Sequence, residues 1–432
     1  MHMPPPAAEG SILEAKPTDL VGRLLTELAP EGWPVPLEAF PAGSALVGGA
    51  VRDGLLQRLG PTPDLDLVVP ADALIQTRQL AKTYGGACVV LDEQRDMARL
   101  VVKGWTIDLA RREGASLEAD LQRRDYRLNA IALELGPLPR LVDPTGGLND
   151  LKEGLVTAVA EQNLIDDPLR LLRGIRIAAE LNFQIATSTW PLLERHHHRL
   201  SQAAPERIQA ELTKLVQAPG ADQGIQQLRA CQLLSPWAAP DHPATQASVP
   251  LTCGDNAARL NAEERANALP LHRLTALVSN QGLKDLRFSR RQIQRCSSLR
   301  HWQQQDDGQG FTSLEPPQRL RLHTDLGNDL PALTLQLPSS LQNEWLQRWR
   351  DPNDPLFHPR SPVDGTTLQQ ELAIAPGPQL GQLLQHLAIE QAFGRLSSPQ
   401  AALDAARQWW LKHQATSSPK GGKAPMAPPR CD

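Results

Sequence analysis

The sequence predicts an α+β protein with a small sheet-containing head and a longer all-helical remainder. Between about 40 and 135, short apolar runs alternate with amphipathic segments, as expected for mixed strands and helices. After about 150 the strand pattern ends, and runs such as DPLRLLRGIRIAAELNF carry apolar residues at helical spacing. The 432 residues are too many for one compact core, so we expect several domains.

The residue pattern accounts for each element of the head in turn. ALVGG and DLDLVV are typical of strands, as are the later runs ACVVLDE, MARLVV and WTIDLA. AVRDGLLQRL and ADALIQTRQLAKTYG have helical spacing, and Gly85 and Gly86 end the second of these helices. We therefore predict a mixed or antiparallel β-sheet with helices packed on it.

The helical remainder is divided by polar, proline-rich breaks at 236–250, 304–318 and 350–363. Both ends are poor in apolar residues, which is typical of disordered segments. We predict a disordered N-terminus at 1–18, the head at 19–150, three helical regions at 151–220, 221–350 and 351–414, and a disordered C-terminus at 415–432.

Composition excludes several classes of protein. The net charge of −4 provides no overall basic field for nucleic acid, so a polyanion site must come from local arginine clusters. The five cysteines form no CxxC pair, which argues against a zinc site or a disulfide framework. We find neither a signal peptide nor an apolar run long enough to span a bilayer, and expect a cytoplasmic protein without membrane contact.

Three carboxylates are the strongest catalytic candidates. Asp64 and Asp66 alternate along a predicted strand and so face the same side, where two negative charges repel each other. A solvated strand end would explain this pair equally well. Asp108 lies in the apolar run WTIDLA, however, and three carboxylates on neighbouring strands can hold two Mg²⁺ ions for displacement at phosphorus.

A glycine pair precedes these carboxylates. Gly48 and Gly49 stand between a predicted strand and a helix, where exposed backbone N–H groups can approach a phosphate. A glycine pair alone is more often a tight turn. The order Gly-Gly, then Arg52-Asp53, then Asp-x-Asp makes the phosphate interpretation specific.

Five further segments extend this pattern. GGAVRD with DLDLVV resembles the first motif of the tRNA nucleotidyltransferase/poly(A) polymerase family, in its bacterial-type class. The later motifs of that family are matched in order by DLQRRDYRLNAIAL (120–133), LVDPTGGLNDL (141–151), DDPLRLLRGIRIAAELNF (166–183), PERIQAEL (205–212) and the segment 364–394. The sequence is thereby identified as a member of this family.

The resemblance implies a nucleotidyltransferase head followed by a helical neck, body and tail. It implies that Mg²⁺ is held by Asp64, Asp66 and Asp108, and that the substrates are the 3′ end of tRNA, CTP and possibly ATP. No obligate protein partner is implied. The NTP-binding residues carried over from the motifs are Gly48, Gly49, Arg52, Asp53, Arg123, Arg124, Asp125, Asn129, Asp167, Arg170, Arg173 and Arg176.

Asp167 and Arg170 match the pair that reads the incoming base in this family. They lie three residues apart on one helix face, and together they offer the donors and acceptor of a Watson–Crick edge. An Asp before a proline is also an ordinary helix cap. The motif departs from the family pattern at Asp166, Gly174 and Ile177.

A basic run at 284–300 is the candidate contact for RNA phosphates, with Lys284, Arg287, Arg290 and Arg291 at its start. A solvated helix face explains such a run equally well.

The length of chain between Asp108 and Arg123 bears on product specificity. Only residues 109–122 separate Asp108 from Arg123, which leaves little chain for the mobile loop that full CCA-adding relatives carry. This favours an enzyme that adds only CC. The alternatives are CCA addition, A addition, poly(A) synthesis, or a catalytically silent RNA-binding protein, against which the three carboxylates argue.

Overall fold

Seven strands form the sheet of the head. The computed structural model describes residues 17–239, 254–306, 310–396 and 398–416. The strands are β1 (Ala45–Val47), β2 (Leu65–Val69), β3 (Ala87–Asp92), β4 (Met97–Val102), β5 (Trp105–Arg111), β6 (Ala132–Glu134) and β7 (Arg140–Val142). Their order across the sheet is β3-β4-β5-β2-β1-β6-β7.

The described residues up to 277 contain twelve α-helices. In chain order they are α1 (Pro17–Leu28), α2 (Gly49–Leu55), α3 (Ala73–Tyr84), α4 (Leu117–Leu121), α5 (Gly147–Glu153), α6 (Glu161–Asp166), α7 (Leu169–Leu181), α8 (Trp190–His196), α9 (Pro205–Gln217), α10 (Ala221–Ala230), α11 (Gly254–Ala258) and α12 (Ala262–Leu277). The remaining helices are α13 (Asn280–Asp285), α14 (Arg290–Gln304), α15 (Pro316–Leu326), α16 (Leu330–Thr334), α17 (Ser339–Arg350), α18 (Gly365–Leu372), α19 (Pro378–Ala392) and α20 (Pro399–Thr416).

The sheet is mixed, as predicted. Strands β2 and β5 pair in parallel, whereas the other neighbouring strands are antiparallel. All five predicted strands are present, and the helix ended by Gly85 is confirmed, since Gly85 caps it in the left-handed conformation. Strands β6 and β7 were not predicted, because three residues are too short to display an alternating pattern and neither strand is directly followed by a glycine pair, as β1 is.

One face of the sheet is covered by α4. Val47, Val68 and Ala132 point from three strands into a buried cluster with Leu117 and Leu121 of that helix. Successive side chains of a strand alternate between faces, so Asp66 lies on the same face as Val68. The helix thus covers the apolar part of this face and leaves the carboxylate end of β2 to the adjoining cavity.

Among the described residues after 150, the regular elements are helices apart from one small pair of strands. Leu155–Val156 (β8) and Gln184–Ile185 (β9) pair in parallel, and they are the exception to the all-helical expectation. The first helix begins at Pro17, inside the segment 1–18 predicted to be disordered, and the last helix extends to Thr416. Residues 1–16 and 417–432, to which the rest of the disorder prediction applies, lie outside the described residues.

The described residues belong to two compact units. One comprises those within Met1–Pro240 and Ala276–Ser289, and the other those within Asp241–Thr275 and Arg290–Asp432. In the second unit, Leu368, Leu383, Leu387, Ala402 and Ala406 belong to a buried cluster shared by its last three helices. The predicted boundaries at 150, 220 and 350 stay predictions. Among the described helices, none has the length and apolar character needed to cross a bilayer.

Candidate active site

The parallel pairing of β2 with β5 brings two of the predicted carboxylates together. Asp66 and Asp108 are register partners on these strands, whose axes lie about 5 Å apart. Asp64 stands just before β2 and is exposed, whereas Asp66 and Asp108 are partly buried. The sheet therefore concentrates negative charge at one point of its α4-covered face.

Asp66 shows the electrostatic consequence of this arrangement. Burial, together with the neighbouring carboxylates of Asp108 and Asp64, raises the pKa of Asp66 to about 6, against the opposing charges of Arg124 and Arg173. A cation beside these carboxylates would remove the repulsion between them. Within the described residues, no three His, Cys, Asp or Glu side chains already lie close enough together to form a metal site.

Arg99 of β4 holds the third carboxylate. Its Nε and Nη2 atoms donate to the two oxygens of Asp108 at 2.8 and 2.9 Å, from the register position directly across the strand pair. A carboxylate offers about four acceptor positions, so this bidentate contact leaves Asp108 able to accept further partners. Arg99 thus orients Asp108 without saturating it.

The glycine pair forms the wall facing Asp66. Gly48 has φ of +70° and precedes α2, and a Cβ atom added there would lie 3.4 Å from Oδ2 of Asp66 and 3.9 Å from Nη1 of Arg124. Gly48 therefore combines a left-handed backbone with a close approach to a carboxylate and a guanidinium, which explains why a residue without a side chain stands here.

Arg52 lies beneath this turn. Its guanidinium donates to both oxygens of Asp53 at 2.8 and 2.9 Å, and its Nη1 donates to Oδ1 of Asn129 at 2.8 Å. Asn129 in turn donates to Oδ1 of Asp125 at 3.2 Å. The Gly-Gly turn and the RRD segment are thereby joined through side chains.

Asp125 continues this network into α7. Its Oδ2 accepts from Nε of Arg173 at 3.0 Å, and its Oδ1 accepts from the Tyr126 amide at 2.8 Å. Burial alone would raise the pKa of Asp125, but Arg173 and the Tyr126 amide outweigh burial, so the pKa lies below its usual range. Asp125 is therefore a buried, charged anchor between the RRD segment and α7.

The pair expected to read the base lies at the start of α7. Asp167 accepts from the Leu169 amide at 3.2 Å, as a capping residue would, and also from Nη2 of Arg207 at 2.9 Å. Nη1 of Arg170 donates to the backbone carbonyls of Arg123 and Asn163 at 2.9 and 3.0 Å. Asp167 and Arg170 both line the cavity described below, so their side chains can face a nucleotide there. A capping role for Asp167 is therefore compatible with base reading.

A cavity of about 860 Å³ collects most of the predicted site. Of the residues carried over from the family motifs, those lining it are Gly48, Gly49, Arg52, Asp53, Asp64, Asp66, Arg124, Asp125, Asn129, Asp167, Arg170, Arg173 and Arg176. Asp108 does not line this cavity, although it is the register partner of Asp66. Arg123 lines a different cavity and pairs with Glu113 at 2.9 Å, so adjacent arginines of the RRD segment face different spaces.

Four residues that hold the site side chains in place were not predicted from the sequence. They are Arg99, which holds Asp108; Arg207, which holds Asp167; Glu211, which accepts from Arg176; and Asp120, which accepts from Arg124. Arg99 carried a usable signal, because a charge inside the apolar run MARLVV is as unusual as Asp108 inside WTIDLA.

The predicted RNA-contacting residues are all exposed. Lys284 and Arg287 belong to one compact unit, whereas Arg290 and Arg291 start α14 in the other. Arg287 forms an ion pair with Glu206 at 3.0 Å. Their contact with RNA stays a prediction.

Two family models match this chain. The Poly A polymerase head domain matches residues 44–157, and the probable RNA and SrmB-binding site of polymerase A matches residues 182–244. A curated relative from Synechocystis sp., a CC-adding tRNA nucleotidyltransferase, is 33% identical over 404 residues, or 87% of this chain and 95% of the relative.

The chain belongs to the tRNA nucleotidyltransferase/poly(A) polymerase family.

It is a nucleotidyltransferase, and the family identification made from the motifs is confirmed. An A-adding tRNA nucleotidyltransferase from Deinococcus radiodurans is 41% identical over 204 residues, which cover 46% of each chain. The solved Thermotoga maritima CCA-adding enzyme complexed with tRNA has a TM-score of 0.67 at 20% identity, covering 95% of this chain and all of that one. This likeness confirms the predicted fold of a head followed by a helical region.

The departure at Gly174 has a physical explanation in this nucleotidyltransferase. The buried Tyr126 ring lies over the first turns of α7, and its hydroxyl donates to the carbonyl of Arg170 at 2.8 Å. A Cβ atom at Gly174 would lie 2.1 Å from that hydroxyl oxygen and 2.4 Å from Cζ. Ile177, the other departure within α7, is fully buried in the core.

Gly174→Ala is expected to destabilise the protein, although Ala is intrinsically the better helix former. The added methyl group collides with Tyr126, and overpacking of this kind costs about 2 kcal/mol of unfolding free energy. Gly22 in α1 has nothing within 4 Å, so Gly22→Ala should instead add about 0.5–1 kcal/mol. Urea denaturation of both variants measures the contrast, and a Gly174→Ala variant as stable as Gly22→Ala would contradict it.

Proposed function

We propose that this nucleotidyltransferase adds two CMP residues to the 3′ end of tRNA from CTP, releasing pyrophosphate and stopping before AMP. The observation that carries the proposal is the short connection between Asp108 and Arg123. Strand β5 uses residues up to Arg111 and α4 begins at Leu117, which leaves 112–116 as a loop. The CC-adding name of the Synechocystis relative, matched over most of its length, supports the same product.

Hydrogen bonds also restrain that loop. The Glu113 amide donates to Oδ1 of Asp120 at 2.8 Å, and the Ser116 hydroxyl accepts from the Ala119 amide at 3.2 Å as the cap of α4. A pocket that exchanges C for A needs a segment with two accessible states. A five-residue loop held at both of these points is a poor candidate for such a segment.

Mg²⁺ fits the donor set proposed for it. Asp64, Asp66 and Asp108 supply only oxygen ligands, which this ion prefers. The pKa of Asp66 is raised first by burial and then by repulsion from Asp108 and Asp64, and a bound cation would offset that repulsion. When bound by these residues, Mg²⁺ would neutralise phosphate charge and favour ionisation of the RNA 3′-hydroxyl. Arg99 would keep Asp108 oriented toward this position.

The protein's own groups would bind the rest of the nucleotide. The backbone at Gly48 and Gly49 and the guanidinium of Arg124 face the carboxylates across the cavity, where a triphosphate would lie. Asp125, held by Arg173, would accept from the ribose hydroxyls. In-line attack of the 3′-hydroxyl on the α-phosphate then expels pyrophosphate.

Asp167 and Arg170 would select the base of the incoming nucleotide. Asp167 offers an acceptor and Arg170 offers donors, so together they can pair with the edge of cytosine. The contact from Arg207 would hold Asp167 in one orientation. Lys284, Arg287, Arg290 and Arg291 remain our candidates for contacts with the acceptor arm.

Full CCA addition is the second candidate. Solved enzymes of similar fold carry the name CCA-adding enzyme, with ATP in one structure and CTP in another. A addition, as in the Deinococcus relative, is the third candidate.

Asp66→Asn is expected to abolish CMP addition. Loss of one ligand charge removes several kcal/mol of transition-state stabilisation, or roughly a thousandfold in rate. The matched control is Asp72→Asn, an exposed residue of the same head. Single-turnover incorporation of labelled CMP measures the rate and filter binding measures tRNA affinity, which should stay near normal. Incorporation by Asp66→Asn at the control rate would refute its assignment.

Asp167→Ala should reduce the selectivity of the enzyme for CTP over UTP and ATP. Loss of the cap alone costs about 1 kcal/mol of stability without affecting nucleotide choice. Asp364→Ala provides that comparison, because Asp364 caps α18 by accepting from the Thr367 amide at 2.9 Å. Both variants should have a slightly lower melting temperature, but only Asp167→Ala should change the outcome of competition between CTP, UTP and ATP. Unchanged competition would leave Asp167 as a cap.

The unmodified protein should extend a tRNA that ends at the discriminator base by two C residues, with no A added even in excess ATP. The restrained loop at 112–116 leaves the pocket unable to accept adenine. Sequencing-gel analysis of products formed with CTP alone, ATP alone and both together distinguishes CC, A and CCA ends. A complete CCA end would refute the loop argument while leaving the family assignment intact.

A further inference from the structure

A second cavity in the head is lined mainly by arginine. Its volume is about 480 Å³, and Arg95, Arg111, Arg112 and Arg123 surround it with Glu113 as its single acidic residue. We call it the arginine cavity. It is separate from the cavity of about 860 Å³ that Asp64 and Asp66 line, which we call the carboxylate cavity, because the two share no lining residue.

The positive charge of the arginine cavity is only partly compensated. Glu113 pairs with Arg123 at 2.9 Å, and Asp92 lies 3.8 Å from Arg95. Within the described part of the chain, the structure records no ion pair for the guanidinium of Arg111 or Arg112, and Arg112 has a longer-range electrostatic interaction with the carboxylate of Glu118. A protein of net charge −4 thus gathers four cations around one cavity, which is a good environment for an anion.

The backbone beneath these arginines is held at several points. The Arg111 amide donates to the Asp96 carbonyl at 3.0 Å, and the Arg112 amide donates to the Val69 carbonyl at 2.8 Å. The next amide, of Glu113, is held by the buried carboxylate of Asp120 at 2.8 Å. The cationic side chains therefore start from a fixed strand end, which reduces the entropy lost on binding a ligand.

The arginine cavity is close to the reaction centre. Arg112 follows Asp108 by four residues, or about 13 Å along an extended strand. On the other side, Arg123 is followed directly by Arg124, which lines the carboxylate cavity. A polyanion whose end lies at the carboxylates would have neighbouring phosphates within reach of the arginine cavity.

We propose that the arginine cavity binds backbone phosphates of the tRNA strand near its 3′ end. Guanidinium groups suit this ligand, because each presents a planar set of donors that matches phosphate oxygens. The inference rests on the proposed function, since it takes tRNA as the substrate. The same chemistry would suit the free phosphates of NTP or pyrophosphate, and the experiment separates these sources.

The test compares the double variant Arg111→Ala/Arg112→Ala with Arg78→Ala/Lys82→Ala, which removes two exposed cations from α3 of the same head. Direct binding of a tRNA lacking CCA is measured without NTP between low and moderate salt. The arginine-cavity variant should bind about tenfold more weakly, with a salt slope reduced by roughly 1–2, as expected for one or two lost phosphate contacts. The control should bind like the unmodified protein.

Steady-state constants identify the phosphate source. For the proposed site, the KM for tRNA rises while the KM for CTP and inhibition by pyrophosphate stay the same. A change in the CTP and pyrophosphate constants with normal tRNA binding would overturn the RNA assignment in favour of free phosphates. Unchanged values throughout would mean that the arginine cavity binds no phosphate.

Single variants and the separate measurement of binding distinguish misfolding and a failed proposed function from loss of this site. The single variants Arg111→Ala and Arg112→Ala replace the double variant if it fails to fold, and each should lower the salt slope by about 1. Because tRNA binding is measured without turnover, a failure of CMP addition in the unmodified protein would refute the proposed function separately from this site.

Discussion

The contact between the buried carboxylate of Asp125 and the partly exposed guanidinium of Arg173 is the interaction on which the site depends. It joins the RRD segment of the head to α7, with Nε of Arg173 donating at 3.0 Å to a carboxylate that is itself buried. Removing Arg173 would leave the buried charge of Asp125 uncompensated, whereas solvent partly screens the guanidinium of Arg173, whose side chain is 36% exposed. The position of α7 relative to the catalytic strands is therefore set by electrostatics as well as by apolar packing.

From this pair a continuous polar network extends in both directions. Toward the glycine turn it passes through Asn129 to Arg52. Toward α9 it passes from Arg173 to Glu211, 4.0 Å away, and Glu211 also accepts from Nε of Arg176. Many side chains predicted to bind NTP are thus bonded to one another before any ligand is considered. Such mutual bonding fixes donors and acceptors in advance, which lowers the entropy lost when a nucleotide binds.

The two arginines of the RRD segment illustrate how neighbours in sequence acquire different roles. Arg124 bonds to Asp120 and faces Asp66, whereas Arg123 pairs with Glu113 beside the arginine cavity. Asp120 also holds the Glu113 amide, so one buried carboxylate links both cavities. The short loop at 112–116, held at Glu113 by Asp120, therefore lies between residues of the two cavities.

The sequence by itself determined five of the seven strands of the head, the family and many of the residues that line the carboxylate cavity, because these depend on local periodicity and on ordered motifs. Tertiary structure alone decided which charges pair. Arg99 reaches Asp108 and Arg207 reaches Asp167 only through strand pairing and helix packing, which bring together residues distant in the chain. Gly174 is likewise explained only by Tyr126, which lies 48 residues earlier and fills the space that a side chain at 174 would need.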